Sequence, residues 1–435
     1  MSFVPLYVLF GSFFVLLAIG LPISFAIGIS AVATMLLMMP LDQSLFIIAQ
    51  RMSSGLDSFT LLAIPFFILA GNIMNRGGIA RRLVDFALVL GGRLPGALAH
   101  VNVLSNMMFG AISGSAVASA AAVGGVLAPM QRREGMPPEF SAAVNIASCP
   151  TGMLIPPSTT FIVYSLISGG TSVAALFVAG YVPGILLGLG MMLVAGIIAT
   201  RRGYPKRQRP GLGVAVRAAL DAVLPLGLVV LIMGGIVGGF FTATEASAMA
   251  VVYALILALV VYREIGLRDL PSILIESTIT STIVLLLVGV SLAMSLVMTY
   301  ADVPFIVSDL LQALAGNPVW ILLFITLSLL VIGTFMDMTP ALLIFTPIFL
   351  PVAREIGIDP VHFGVLMTFN LCIGICTPPV GSALFVGCSV GKVPIWSVLR
   401  PLVPFYAVFV GLLFVVVFVP ELSLFLPRLL LGYGA

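Results

Sequence analysis

The sequence predicts an all-α polytopic membrane protein on three observations: a composition that cannot make a water-facing surface, a series of apolar runs of membrane length, and two interrupted segments that match each other at a fixed spacing. Apolar residues fill 61% of the 435 positions and charged residues only 8%. A soluble domain carries about a quarter charged residues, so most of this exterior must face hydrocarbon. Membrane lipid is therefore the first expected partner.

A helix needs about 20 mainly apolar residues to cross about 30 Å of hydrocarbon. Runs near that length cover 4–20, 22–39, 59–74, 174–200, 224–240, 246–262, 283–297, 319–335 and 402–419, and tilt absorbs the differences. The first has neither a basic leader nor a small-residue cleavage pattern, so it is expected to be a retained helix. Arg201, Arg202, Lys206, Arg207, Arg209 and Arg217 cluster between two runs, with no acid until Asp221. The excess of Lys and Arg makes 201–217 a cytoplasmic linker between halves 1–200 and 218–435. No foldable module accompanies these charges, so nucleic acid is not an expected partner. Cys149, Cys372, Cys376 and Cys388 stand among apolar or small residues without a neighbouring His, and read as buried small hydrophobes.

Each half contains an apolar region interrupted by Gly, Pro, Ser and Thr. Pro129 and Pro351, Gly135 and Gly357, Pro138 and Pro360, Gly152 and Gly374, Pro156 and Pro378, and Pro157 and Pro379 all lie 222 positions apart, as do Arg132 and Arg354. A duplicated unit is expected. Within each copy a short apolar piece, 116–130 or 341–352, ends at a charged turn, the pattern of a half-helix or re-entrant hairpin arm. The hairpins are placed near 113–135 and 336–357. After the turn, Pro137-Pro138 or Asp359-Pro360 opens a new helix, because proline in a first turn gives up an amide that had no partner. That helix meets two consecutive prolines, which remove two amide donors and disfavour helical geometry before them. Breaks are expected near 150–158 and 374–381.

Lipid cannot satisfy the backbone groups that such a break frees; protein, water or a ligand must. Matched interruptions in two halves point to the central site of a secondary transporter. A carboxylate wants amide donors and a positive helix end, whereas sodium wants several oxygens. The substrate candidates are Ser113, Gly114 and Ser115 at one hairpin, Pro156, Pro157, Ser158 and Thr159 at the first break, and Pro378 and Pro379 at the second. The cation candidates are Ser115, Gly152, Gly333, Asp337, Thr339, Gly374 and Thr377, with Met338 beside them. Asp337 fits a cation ligand or an N-cap, and the two roles are compatible. Glu245 reads as a structural first-turn acid behind Thr242 or Thr244. Asn145 and Asn370 suit interhelical packing or ligation. His100 and His362 are expected near the membrane surfaces, without a catalytic role. No P-loop and no Ser/His/Asp set is present, so neither an ATP-driven pump nor an enzyme is supported.

Several segments together resemble the large membrane subunit of the tripartite ATP-independent periplasmic (TRAP) transporters, the DctM-like family. They are DSFTLLAIPFFILAGNIMNRGGIARRLVD from Asp57, SGSAVASAAAVGG from Ser113, LIPPSTTFIVYS from Leu154, GGFFTATEASAMAVVYAL from Gly238, FMDMTPALLIFTPIFLPVAREIGIDPVHFGV from Phe335 and GICTPPVGSALFV from Gly374. The resemblance implies a sodium-coupled importer of organic acids in a bacterial or archaeal inner membrane. It also implies inverted repeats with two re-entrant hairpins and two broken helices, in an elevator-type fold whose transport domain slides against a scaffold. Sodium ions would be the coupling ions, with no other cofactor. The implied partners are a separate small four-span membrane subunit and a periplasmic solute-binding protein. Many family members carry Asp or Thr at the place of Ser119 and Asn near Thr159. Here both are hydroxyl residues, so no single member's substrate is transferred. From the residues alone, a stand-alone proton- or sodium-coupled organic-anion carrier is the alternative, ahead of a scaffold or channel.

Overall fold

The computed structural model describes residues 4–204, 211–315 and 317–434, and among them every regular element is a helix. Lys206, Arg207 and Arg209 lie outside the described residues. Seven of the described helices are long and apolar enough to cross a membrane: Phe59–Arg76, Val173–Arg201, Leu212–Val237, Ala243–Val261, Leu270–Tyr300, Pro318–Phe335 and Ile395–Phe418. Pro138–Leu154 and Thr159–Ile167, bent by 49° at their junction, form an eighth candidate span. Over the expected run 224–240 the helix begins earlier, at Leu212, and stops at Val237, whereas 283–297 is extended at both ends to Leu270–Tyr300. Charged residues such as Arg217, Asp221 and Glu276 end an apolar run, but Arg and Glu are good helix formers and a single Asp costs only about 0.7 kcal/mol, so they do not end a helix.

Hydropathy also passes over Leu41–Leu56, Ile79–Gly91, Ala97–Ser113, Val303–Ala315 and Glu421–Leu431. Ile79–Gly91 shows why: Ile79, Leu83, Val84 and Ala87 are buried at helical spacing while Arg81 and Asp85 are exposed. A one-sided helix of this kind has no continuous apolar run.

The helices sort into two groups. Val4–Ala18, Ile23–Met35, Leu41–Leu56, Ala63–Arg76, Ala243–Leu255 and Leu270–Tyr300 pack mainly on one another and form an outer group, which Leu212–Val237 joins through Ala243–Leu255 while packing also on Ile79–Gly91 and Ala97–Ser113. An inner group joins the helices from Ala97–Ser113 to Val173–Arg201 with those from Pro318–Phe335 to Glu421–Leu431. Ile79–Gly91 and Val303–Ala315 each touch both groups. Each half of the chain thus supplies an outer stretch and then an inner one. Polar contacts tie the outer stretches together: Asn72 Nδ2 donates to Ser277 Oγ at 2.8 Å, and the Arg82 guanidinium lies 3.7 Å from the Tyr262 ring centre and 3.1 Å from Glu264. Side chains facing away from both groups are apolar, among them Leu193, Val230, Ile283, Val331 and Val403. Such a surface suits hydrocarbon.

Candidate functional site

The first inner hairpin turns at Gly114 and Ser115. Ala97–Ser113 ends because Gly114 takes a left-handed conformation (φ +62°), and Ala116–Arg133 begins because Ser115 Oγ accepts from Ala118 N at 3.3 Å. The turn is therefore a tip joining two arms, at the start of the stretch 113–135 over which the sequence placed the hairpin. It rests on the first break. Pro138–Ser148 and Thr151–Leu154 unwind over 155–158 before Thr159–Ile167 resumes, and Thr159 Oγ1 donates to the Gly114 carbonyl at 3.4 Å. Pro156 and Pro157 are buried and joined by a cis bond. Ser158 is fully buried, and its Oγ has no hydrogen-bond partner in the protein.

The second tip is at Met336 and Asp337, between Pro318–Phe335 and Met338–Glu355. Asp337 occupies the N-cap position, but its side chain makes no cap bond; Oδ1 instead accepts from Ser382 Oγ at 2.8 Å. The carboxylate is thereby tied to the helix after the second break, Ser382–Gly391. Val380 N donates to Thr334 O at 3.1 Å across the same joint. Pro378 and Pro379 are also cis; Pro378 is half-buried and Pro379 exposed. Thr377 Oγ1 donates back to Ile373 O at 2.7 Å. The halves meet where Thr160 Oγ1 approaches Met338 Sδ at 3.3 Å, and where Cys376 Sγ lies 3.2 Å from the Ile146 carbonyl. All four cysteines are free and buried.

Glycines set the spacing of tips and breaks. A Cβ on Gly152 would stand 2.3 Å from Gly110 Cα, and one on Gly374 would stand 2.4 Å from the Gly333 carbonyl. In both halves, then, one arm of the hairpin crosses the broken helix backbone to backbone, a contact that small residues permit. Asn145 bonds between helices, donating to Ala120 O at 2.8 Å and accepting from Asn106 Nδ2 at 3.1 Å. Asn370 donates only within its own helix, to Leu366 O at 2.9 Å, and its buried Oδ1 has no partner. Glu245 closes a capping box with Thr242, accepting from Thr242 N at 2.8 Å. His100 and His362 stand in the first turns of their helices and are buried within protein.

Both tips open on one cavity of about 420 Å³. Ser113, Gly114, Ser115, Thr159, Asp337, Met338 and Thr339 line it from the inner group. Gly152, Pro156, Pro157, Ser158, Gly333, Gly374, Thr377, Pro378 and Pro379 do not; they form the ground behind the tips. The opposite wall belongs to the outer group and includes Asn72, Asn75, Glu276 and Thr280. These outer residues and Ser382 are absent from the candidates read in the sequence, although Asn72 inside the apolar run 59–74 and Asn75 just after it, polar and three apart, carried a usable signal. The only charged residues in the lining are Glu276 and Asp337. Glu276 pairs with Arg76 at 2.7 Å, whereas Asp337 has no basic partner among the described residues.

Comparison with known proteins is consistent across nearly the whole chain. The "Uncharacterized protein YgiK" of Salmonella typhimurium is 57% identical over 98% of both chains. The 2,3-diketo-L-gulonate TRAP transporter large permease protein YiaN of Escherichia coli is 40% identical over 93% of this chain and 95% of its own. The solved YdaH transporter of Alcanivorax borkumensis, at 14% identity, superposes with a TM-score of 0.62 over 91% of this chain and 89% of that one, which is a likeness of fold. Residues 10–422 match the family model "Tripartite ATP-independent periplasmic transporter, DctM component". The chain belongs to the DctM family of TRAP transporter large permease subunits, a family of multi-pass membrane proteins that are not enzymes.

Proposed function

We propose that this chain is the transport subunit of a sodium-coupled organic-acid importer in a bacterial inner membrane, and that its inner helices move as an elevator against the outer ones. The observation that carries the reading is the cavity between the two helix groups, which joins both tips and holds Asp337 with no basic side chain in its lining. An organic anion entering there meets a carboxylate, and cations must offset the repulsion. Oxygen donors for sodium are at hand. At the first tip and the break behind it stand Ser113 Oγ, the unpartnered Ser158 Oγ, the Gly152 backbone, and Ser115, whose carbonyl already accepts from Ser119 N and has one lone pair left. Beside the second stand the Asp337 carboxylate, Thr339, the carbonyls of Gly333 and Gly374, and Thr377, whose hydroxyl donates to Ile373 and keeps its lone pairs for a cation. Matching tips and breaks at a 222-residue spacing support a duplicated unit, which we read as two inverted repeats.

The substrate class is a keto or sugar acid or a dicarboxylate, in keeping with the name of the Escherichia coli relative. A periplasmic binding protein delivers it, and a four-span small subunit braces the outer helices. One sodium ion carried with a monoanion is electroneutral. Two or more make the cycle electrogenic, and each net charge gains about 2.3 kcal/mol per 100 mV.

Uptake into proteoliposomes that contain both membrane subunits, supplied with binding protein, tests the coupling. Transport should require a sodium gradient, and Asp337→Asn should raise the sodium concentration for half-maximal rate by about tenfold, the loss of one charged ligand contact. Uptake at full rate without sodium would remove the coupling from the proposal.

A further inference from the structure

A second cavity, of about 480 Å³, lies where Val173–Arg201 ends and Ile395–Phe418 begins. We propose that it binds the headgroup of an anionic phospholipid of the cytoplasmic leaflet. Its lining is of two kinds: the basic residues Arg201, Arg202 and Arg400, and the apolar residues Phe140, Ile198 and two prolines of Ile395–Phe418. No acid lines it, and none of the three guanidinium groups has a carboxylate within ion-pair distance among the described residues. Three positive groups around one concavity repel one another until an anion is seated between them. Guanidinium forks match phosphate oxygens in geometry as well as charge.

Arg202 is already positioned for this. Its guanidinium lies 5.6 Å from the Phe140 ring centre, and its Nη1 donates to the Tyr204 hydroxyl at 3.3 Å. Phe140 is itself held between the rings of Tyr204 and Phe405, at 5.8 and 6.5 Å. The site thus joins the first broken helix to two spanning helices.

Depth and polarity favour a lipid over a soluble phosphate. The cavity sits at the ends of two helices long enough to span, where headgroups lie. The apolar residues of the lining offer contacts to the glycerol and upper acyl chain. Trp396, one turn before Arg400 on the same helix face, is 79% exposed, and exposed Trp marks the membrane interface. The basic linker begins at Arg201, and a basic cluster beside spanning helices on the cytoplasmic side attracts anionic headgroups.

The full chain, purified with its lipids, should retain phosphatidylglycerol or cardiolipin in preference to phosphatidylcholine by native mass spectrometry. Arg201→Gln/Arg202→Gln/Arg400→Gln should lower that retention by about tenfold or more, while Arg268→Gln, outside the cavity, should leave it unchanged. Wild-type protein should also melt at a higher temperature in phosphatidylglycerol vesicles than in phosphatidylcholine, a comparison that needs no variant to fold. Equal melting in the two lipids, or unchanged retention in the triple variant, would overturn the proposal. So would displacement of the lipid by millimolar inorganic phosphate, which would assign the cleft to a soluble anion.

Discussion

At the residue scale, the glycines that frame the site act by having no side chain. Gly152 crosses Gly110, and Gly374 crosses Gly333, at distances a methyl group cannot enter. Neither neighbour is the movable end of a side chain; each is backbone within a helix. Gly152→Ala must therefore push the first hairpin arm away from the broken helix, at a cost of about 1–3 kcal/mol for an overpacked contact. The expected result is a lower melting temperature in detergent together with loss of uptake by the protein that still folds. Gly374→Ala should behave alike in the other half. Gly125→Ala is the control, because a Cβ there meets nothing within 4 Å. If Gly152→Ala transported at the wild-type rate, the close crossing would have no part in holding the tip in place.

At the scale of elements, caps and the break between Pro138–Leu154 and Thr159–Ile167 were legible in the sequence because their chemistry is local. Pro138 and Pro360 stand in first turns, and Asp359 Oδ1 accepts from Val361 N at 2.7 Å. Thr242 and Glu245 form the reciprocal cap expected of a Thr followed by Glu three residues later. Thr242→Ala should lower the melting temperature by at most about 2 °C and leave uptake per folded molecule unchanged, because the cap lies outside the cavity lining. A loss of uptake with intact folding would move this cap into the transport machinery. Partners distant in sequence were not legible. Nothing local says that the Asp337 carboxylate reaches Ser382 and leaves its own helix uncapped. Glu276 and Thr280 of the outer wall were hidden for the same reason, since both lie before the apolar run 283–297 and nothing local ties them to the tips. One-sided helices such as Ile79–Gly91 were hidden because half of each turn is polar.

At the scale of the whole molecule, the elevator reading requires the inner group to slide past the outer one along the wall that carries the cavity. One contact on that wall can be locked. A Cβ built on Gly71, in the outer helix Ala63–Arg76, would lie 3.8 Å from Ser113 Cβ at the first tip, close to the mean separation of about 3.8 Å across a disulfide. Gly71→Cys/Ser113→Cys should therefore crosslink under mild oxidation, with little competition from the natural cysteines, all of which are buried. Because Ser113 is itself a proposed binding residue, the informative comparison is one double variant before and after reduction, beside Ser113→Cys alone under the same treatment. Uptake should fall towards zero when crosslinking, read by gel mobility of a protease-cleaved chain, is complete. It should return to the level of the single variant on reduction, and the single variant should not respond to redox conditions. A fully crosslinked protein that still transports would mean that these two helices keep their contact throughout the cycle, and the sliding surface would have to lie elsewhere.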